Sequence, residues 1–464
     1  MSKLSRKALA AAPRQNAAHS GMDRWPASQG NRCPDANGIV PRHDAVRRLL
    51  VRVLVAALVV LSAPPPVCAQ PAGQRFPQPS TGQPPAPLVQ TGPPAPLFQT
   101  GPVGAGMEPA PTSGAGDSEL RQRLAALIAQ QCQTNNIPGY AISVVKDGRI
   151  FFQSGFGLAD IESRRPVTPE TIFGLASVTK TFTALCLLML VDRGQINLDD
   201  SVDRYLPDLS GHWAKLTIRQ LATMTAGLPK GLPRELPWPQ EMRVLEKEPL
   251  LFSPGTDYCY SNPSYRLLGS VIEKVTGRPY AQVVAELITG PLSMASTGPP
   301  EMLFQTGLIA APYGDDKGTA PVHRIAYKPS EISFSAGMLF SNVIDLSRYA
   351  QSLLDNRVML SPQGYRTLLY DRPPLPSGQP SNWAFGWGSR VDAGLGNQRR
   401  IGMNGGDPAV SSTILLFPDS RLIVIGLSNI HRPEVYRIAQ MAARLILAYR
   451  QIPTEAEAPE GEPY

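Results

Sequence analysis

Ser177 and Lys180 stand three residues apart at the head of an uninterrupted apolar run, Phe182-Thr183-Ala184-Leu185-Cys186-Leu187-Leu188-Met189-Leu190-Val191. A serine and a lysine at positions i and i+3 share one helix face, so the pair can supply a nucleophile and its base. The run lacks Gly and Pro and stops at Asp192-Arg193-Gly194, which predicts a buried helix with a glycine stop. Ser177 then falls at the N-cap or in the first turn, where unpaired N–H groups and the positive end of the helix dipole point. Burial and that dipole both disfavour an ammonium at Lys180, and a neutral amine can take the serine proton. The plainer alternative is an N-cap serine followed by a first-turn lysine. A second S-x-x-K, Ser143-Val144-Val145-Lys146, lies in a β-branched run that turns at Asp147-Gly148. On a strand, residues three apart point to opposite faces, so this copy cannot work as a pair.

The elements that must position such a site can be read along the chain. Leu120, Leu124, Leu127 and Ile128 recur at helical spacing from Asp117 onward. Residues 140–145 and 149–156 read as a hairpin across Asp147-Gly148. Short helices are expected over 216–224 and 264–276, a longer amphipathic one over 336–354, and a last one over 433–450. Three strand-like runs, 399–404, 410–417 and 422–428, come late. Between these ends lies a helical middle rich in proline. It contains Phe252-Ser253-Pro254-Gly255-Thr256-Asp257-Tyr258-Cys259-Tyr260-Ser261-Asn262-Pro263, a loop of turn formers and aromatics that feeds a helix and suits a functional role. Two early strands and three late ones predict an α+β domain. In it one antiparallel five-stranded sheet is covered by helices from both termini, with a mostly helical second lobe at whose boundary a ligand would sit.

The remaining segments bound localisation and partners. The net charge of +7 sits entirely before Gln70, where ten Lys or Arg face only Asp23, Asp35 and Asp44; the rest carries 34 residues of each sign. A nucleic-acid partner is therefore not expected. Arg47 and Arg48 precede an apolar stretch that ends near Val67-Cys68-Ala69, the pattern of an export signal too short for a stable transmembrane anchor. Residues 1–69 read as an N-terminal extension and signal peptide, which places the protein in the periplasm or outside the cell. Residues 70–116 read as a proline-rich disordered linker with a repeat at Thr81-Gly82-Gln83-Pro84-Pro85 and Thr91-Gly92-Pro93-Pro94. Residues 117–452 form the folded domain, and 453–464 an acidic disordered tail. No C-x-x-C, H-E-x-x-H or histidine cluster appears, so neither a metal nor another cofactor is expected.

Ser177-Val178-Thr179-Lys180, Tyr260-Ser261-Asn262 and Gly402-Met403-Asn404-Gly405-Gly406 occur in the order and approximate spacing of three motifs of the serine β-lactamase and penicillin-recognising superfamily. The set resembles its esterase, D-aminopeptidase and class C β-lactamase branch. Thr217-Ile218-Arg219-Gln220-Leu221 and Ser335-Ala336-Gly337-Met338-Leu339 are supporting stretches. The resemblance implies a β-lactamase/transpeptidase-like fold. It implies catalysis by Ser177 as nucleophile with Lys180 and Tyr260 sharing the proton work, the phenol being lowered from its usual pKa by the neighbouring amine. Asn262 would bond Lys180 and the substrate. The N–H groups of Ser177 and Gly406, on the strand carrying Gly405, would form an oxyanion hole. Taken alone, Tyr260 reads equally as a core aromatic and Asn262 as a helix cap. Met403 departs from the family pattern of Lys or His; a thioether offers no charge and no donor, so carboxylate recognition should weaken. The expected activity is exported serine hydrolysis of a small-molecule ester, amide or lactam, of the esterase or D-aminopeptidase/carboxypeptidase type, with cell-wall peptide as a further candidate substrate. The alternative is a catalytically weak or inactive relative that binds at the cell envelope.

Overall fold

The structure, a computed structural model, describes residues 115–449 apart from 233–235, 316–321, 328–332, 356–358, 377, 379 and 382. The expected signal peptide, most of the linker and the acidic tail lie outside the described residues. Helix α1 spans Ala115–Thr134, starting two residues inside the stretch assigned to the linker. Hairpin strands β1 (Gly139–Lys146) and β2 (Arg149–Asp160) follow, then β3 (Arg165–Pro166) and β4 (Phe173–Gly174). Helix α2 runs from Thr179 to Asp192, and α3 covers Asn262–Thr276. After β5 (Tyr313–Gly314), β6 (His323–Arg324) and β7 (Phe340–Ser341) comes α4 (Val343–Leu354). The chain closes with β8 (Gly388–Asp392), β9 (Gln398–Asp407), β10 (Val410–Phe417), β11 (Leu422–Ser428) and α5 (Pro433–Tyr449).

The main sheet has seven strands in the order β3-β2-β1-β11-β10-β9-β8, every pair antiparallel. The five strands expected from sequence form its centre. The two extra ones are the two-residue β3 and the polar β8, which carry no alternating apolar signal and exist because a neighbour offers a free edge. Residue parity divides the core. Ile142 and Val144 of β1, Leu415 of β10 and Val424 of β11 pack under α1 and α5. Ala141, Ile414, Leu416, Ile423 and Ile425 face the larger cluster around α2, α3 and α4. A sheet covered on both faces needs apolar residues at both parities, which is why residues 414–417 of β10 and 422–425 of β11 are apolar without a break.

Helix α2 is the axis of the larger cluster: every side chain from Thr179 to Leu190 is buried. An all-round apolar helix has no solvent face and belongs in the centre. Helix α4 starts at Val343, not Ala336. Asn342 caps it by accepting from the Asp345 N–H at 2.8 Å, while residues before it form a 3-10 turn and β7, which pairs with β4. No described helix is long and apolar enough to cross a membrane.

Candidate active site

Ser177 sits in a 3-10 turn, Ala176–Val178, immediately ahead of α2, and not at a side-chain N-cap. Ala176 before it adopts φ +44°, a left-handed conformation that costs a non-glycine residue about 1 kcal/mol or more. The elbow is held from three sides. Leu175 N–H donates to Leu339 O at 2.8 Å, Val178 N–H to Leu175 O at 3.1 Å, and Ser412 Oγ to Leu175 O at 2.6 Å. Lys180, one turn on, is fully buried, whereas Ser177 is partly exposed. Lys180 Nζ lies 3.0 Å from Ser177 Oγ and donates to the Ala336 carbonyl at 2.8 Å. Ala336 is fixed to the same helix, because Thr183 Oγ1 donates to Ser335 O at 2.6 Å and Leu339 N–H donates to Thr179 Oγ1 at 3.1 Å.

Tyr260 arrives from the aromatic loop and donates from its hydroxyl to Ser177 Oγ at 2.7 Å. The loop is laced to the segment after the short helix Ile218–Ala222: Cys259 N–H donates to Met224 O at 3.1 Å, and Gly255 N–H to Thr225 O at 2.8 Å. Met224 is itself left-handed at φ +58°. Ser261, not Asn262, caps α3 by accepting from Ser264 N–H at 3.2 Å, so the residue after Tyr260 fixes where the helix starts.

Desolvation holds the Lys180 amine well below its ordinary pKa; the Arg266 guanidinium pushes the same way and Asp407 opposes it. Arg266 itself is buried in an ion pair with Glu241. Burial raises the Tyr260 phenol above its usual value, with the bond to Ser177 opposing the rise. The expectation of a lowered phenol therefore fails: the same desolvation that disfavours the ammonium at Lys180 disfavours the phenolate at Tyr260. Both shifts favour the uncharged forms, an amine with a lone pair and a phenol with a proton to give.

Strand β9 passes directly beside the elbow. A Cβ on Gly405 would stand 2.1 Å from Leu175 O, 2.3 Å from Ser412 Oγ and 3.1 Å from Ser177 N, so only glycine fits. Its neighbour Gly406 is exposed, and a Cβ there would point the other way, at His431 and Tyr436 of the α5 side. Pairing with β8 stops at Gly402, which leaves residues 403–407 as the free edge of β9 beside Ser177. Met403 shares the Gly405 face but is only 3 % exposed and packs within the large apolar cluster.

A family model described as Beta-lactamase matches residues 124–448. The chain belongs to the Beta-lactamase family. Protein flp of Staphylococcus aureus strain MW2 is 26% identical over 357 residues, covering 73% of this chain and 69% of that protein. Esterase EstB of Burkholderia gladioli is 34% identical over 221 residues, 43% of this chain and 56% of that protein. Among solved structures, the octameric penicillin-binding protein homologue from Pyrococcus abyssi superposes with a TM-score of 0.63 at 27% identity, covering 70% of this chain and 77% of that one. As in the fold expected for a Beta-lactamase family member, an antiparallel sheet is flanked by helices, with a mostly helical lobe beside it.

Of the residues picked out by the three motifs, the structure brings together Ser177, Lys180, Tyr260 and Gly405. It does not join Asn262 to Lys180: among the described residues no hydrogen bond links the two, and the Ala336 carbonyl takes that place. Met403 is not among the residues brought together: it is buried within the large apolar cluster. The second S-x-x-K is divided as expected, with the Ser143 hydroxyl buried and bonded to Gln153 and Ser347 while Lys146 approaches Asp117 at 3.8 Å. Sequence reasoning missed the carbonyl of Ala336, whose role is carried by backbone and leaves no side-chain signature. It also missed Arg266, on the far side of α3's first turns, and the aromatic Trp383-Ala384-Phe385-Gly386-Trp387.

Proposed function

We propose that this Beta-lactamase family member is a serine hydrolase that cleaves small esters or amides through an acyl-enzyme on Ser177. One observation carries the reading: a partly exposed Ser177 Oγ stands 3.0 Å from a buried Lys180 amine and 2.7 Å from the Tyr260 hydroxyl. In the acylation step the Lys180 lone pair takes the Oγ proton as Oγ bonds to the substrate carbonyl carbon. The family resemblance assigns the resulting oxyanion to the N–H groups of Ser177 and Gly406, and the approach of Gly405 to the Ser177 nitrogen supports it. Collapse breaks the bond to the alcohol or amine, which leaves with the Tyr260 proton, and Lys180 then returns its proton to the phenolate. Water attacks the acyl-serine by the same steps in reverse.

Met403 stands where the resembled family carries Lys or His and brings no cation for a carboxylate, which supports uncharged acyl groups as the preferred class, in keeping with the 34% identity to an esterase. The leader at Arg47 to Ala69 supports export to the periplasm or beyond. The complete nucleophile, amine and phenol favour catalysis over an inactive envelope-binding relative. Fluorophosphonate labelling with mass spectrometry should find the adduct on Ser177, and p-nitrophenyl acetate should give a burst that disappears in Ser177→Ala. An adduct on another side chain, or equal turnover by the variant, refutes the proposal; no labelling and no turnover across short esters favours the binding relative.

A further inference from the structure

The turn Trp383-Ala384-Phe385-Gly386-Trp387, just ahead of β8, touches both halves of the site. At one end the Trp383 indole is 7 % exposed and meets the Tyr260 ring edge to face, centroids 5.7 Å apart at 89°. Tyr265 stands at 6.3 Å and 83° from the same indole. The indole cannot rotate away, because Trp383 Nε1–H donates to Ala222 O at 3.2 Å, and the Tyr265 hydroxyl donates to that same carbonyl at 2.8 Å. In the middle, Gly386 adopts φ +79°, and a Cβ there would stand 2.9 Å from Lys180 O and 3.2 Å from Thr181 Cα. The turn thus lies against the backbone of the residue that holds the amine. At the other end, Trp387 stacks on Tyr349, which stacks on Phe182 of α2 at 4.2 Å.

We infer that Trp383 is a positioning residue, which sets the Tyr260 hydroxyl over Ser177 by bracing its ring against a turn referenced to α2. The inference rests on the acyl-enzyme reading above. Tyr260 comes from an irregular loop, and its ring has Lys180 Nζ 5.0 Å from its centroid. The indole edge supplies a rigid stop for that ring, and aromatic pairs of this geometry favour one orientation. A phenol displaced by about 1 Å loses its alignment with the leaving group, which is worth on the order of 100-fold in rate. Because the loss falls on proton delivery, it must depend on how much the leaving group needs a proton.

That dependence separates positioning from general damage to the fold. The test measures kcat/KM for wild type, Trp383→Ala and Trp383→Phe on p-nitrophenyl acetate, whose leaving group departs without a proton, and on benzyl acetate, whose leaving group requires one. Trp383→Ala is expected to lose about 100-fold on benzyl acetate and less than about 5-fold on p-nitrophenyl acetate, with Trp383→Phe in between on the first and unchanged on the second. Should the alanine variant fail to fold, the phenylalanine variant alone still divides the two esters. Equal losses on both esters, or no loss on either, overturn the inference. A wild type that turns over neither ester and takes no label on Ser177 refutes the serine-hydrolase reading instead.

Discussion

Replacing Lys180 with methionine removes a buried amine and leaves a chain of similar length, so the change tests its charge state more than its packing. In the unfolded chain a lysine holds its proton up to a pKa near 10.4, whereas desolvation and Arg266 depress the folded value well below that. The native state therefore binds fewer protons than the unfolded one. Stability rises with pH across the window between the depressed folded value and about 10.4, and is lost as pH falls through it. The limiting slope within the window is about 1.4 kcal/mol per pH unit, so wild type should gain stability relative to the variant between pH 7.5 and 9.5. Methionine has no such term, and titrations elsewhere are common to both proteins and cancel. Lys180→Met removes whatever cost folding bears in disfavouring the ammonium. It gives up the contacts to Ser177 and Ala336, about 1 kcal/mol each at any pH, and loses ester turnover. Urea unfolding at the two pH values, with equal m-values in both proteins, reads the difference directly. A stability gap that does not change with pH would mean that the folded amine keeps its proton, and a charged Lys180 cannot be the base.

Gly405→Ala should lower kcat/KM by about 100-fold or more, since its methyl must push β9 off Leu175 O and Ser412 Oγ and shift the elbow; ester kinetics together with a thermal melt would separate that loss from unfolding. Met403→His places an imidazole in the apolar cluster, and is expected to cost about 2 kcal/mol of stability without conferring preference for carboxylate-bearing substrates; Met403→Leu should cost less than about 1.5 kcal/mol. A carboxylate preference gained by the histidine variant at unchanged stability would show that position 403 faces the ligand. Tyr260→Phe should retain much of its kcat/KM on p-nitrophenyl acetate and lose it on benzyl acetate, because the hydroxyl donating to Ser177 is also the one available to a poor leaving group; a uniform loss of kcat/KM would assign the phenol to serine activation instead.

The chain's own order of residues determined that Ser177 and Lys180 share one helix face, that the helix is buried, and that five strands from both ends form one sheet, because periodicity and turn residues act locally. The same local rules excluded Ser143 and Lys146. They could not determine the charge of the phenol. That depends on whether the nearby amine is protonated, which in turn depends on Arg266 and on burial by elements more than 80 residues away. Nor could they place Met403: alternation gives it a face of β9, but only the packing of the cluster around α2 buries it. The third partner of Lys180 is a backbone carbonyl, identical in every residue type, so nothing short of the tertiary fold could select Ala336 over its neighbours.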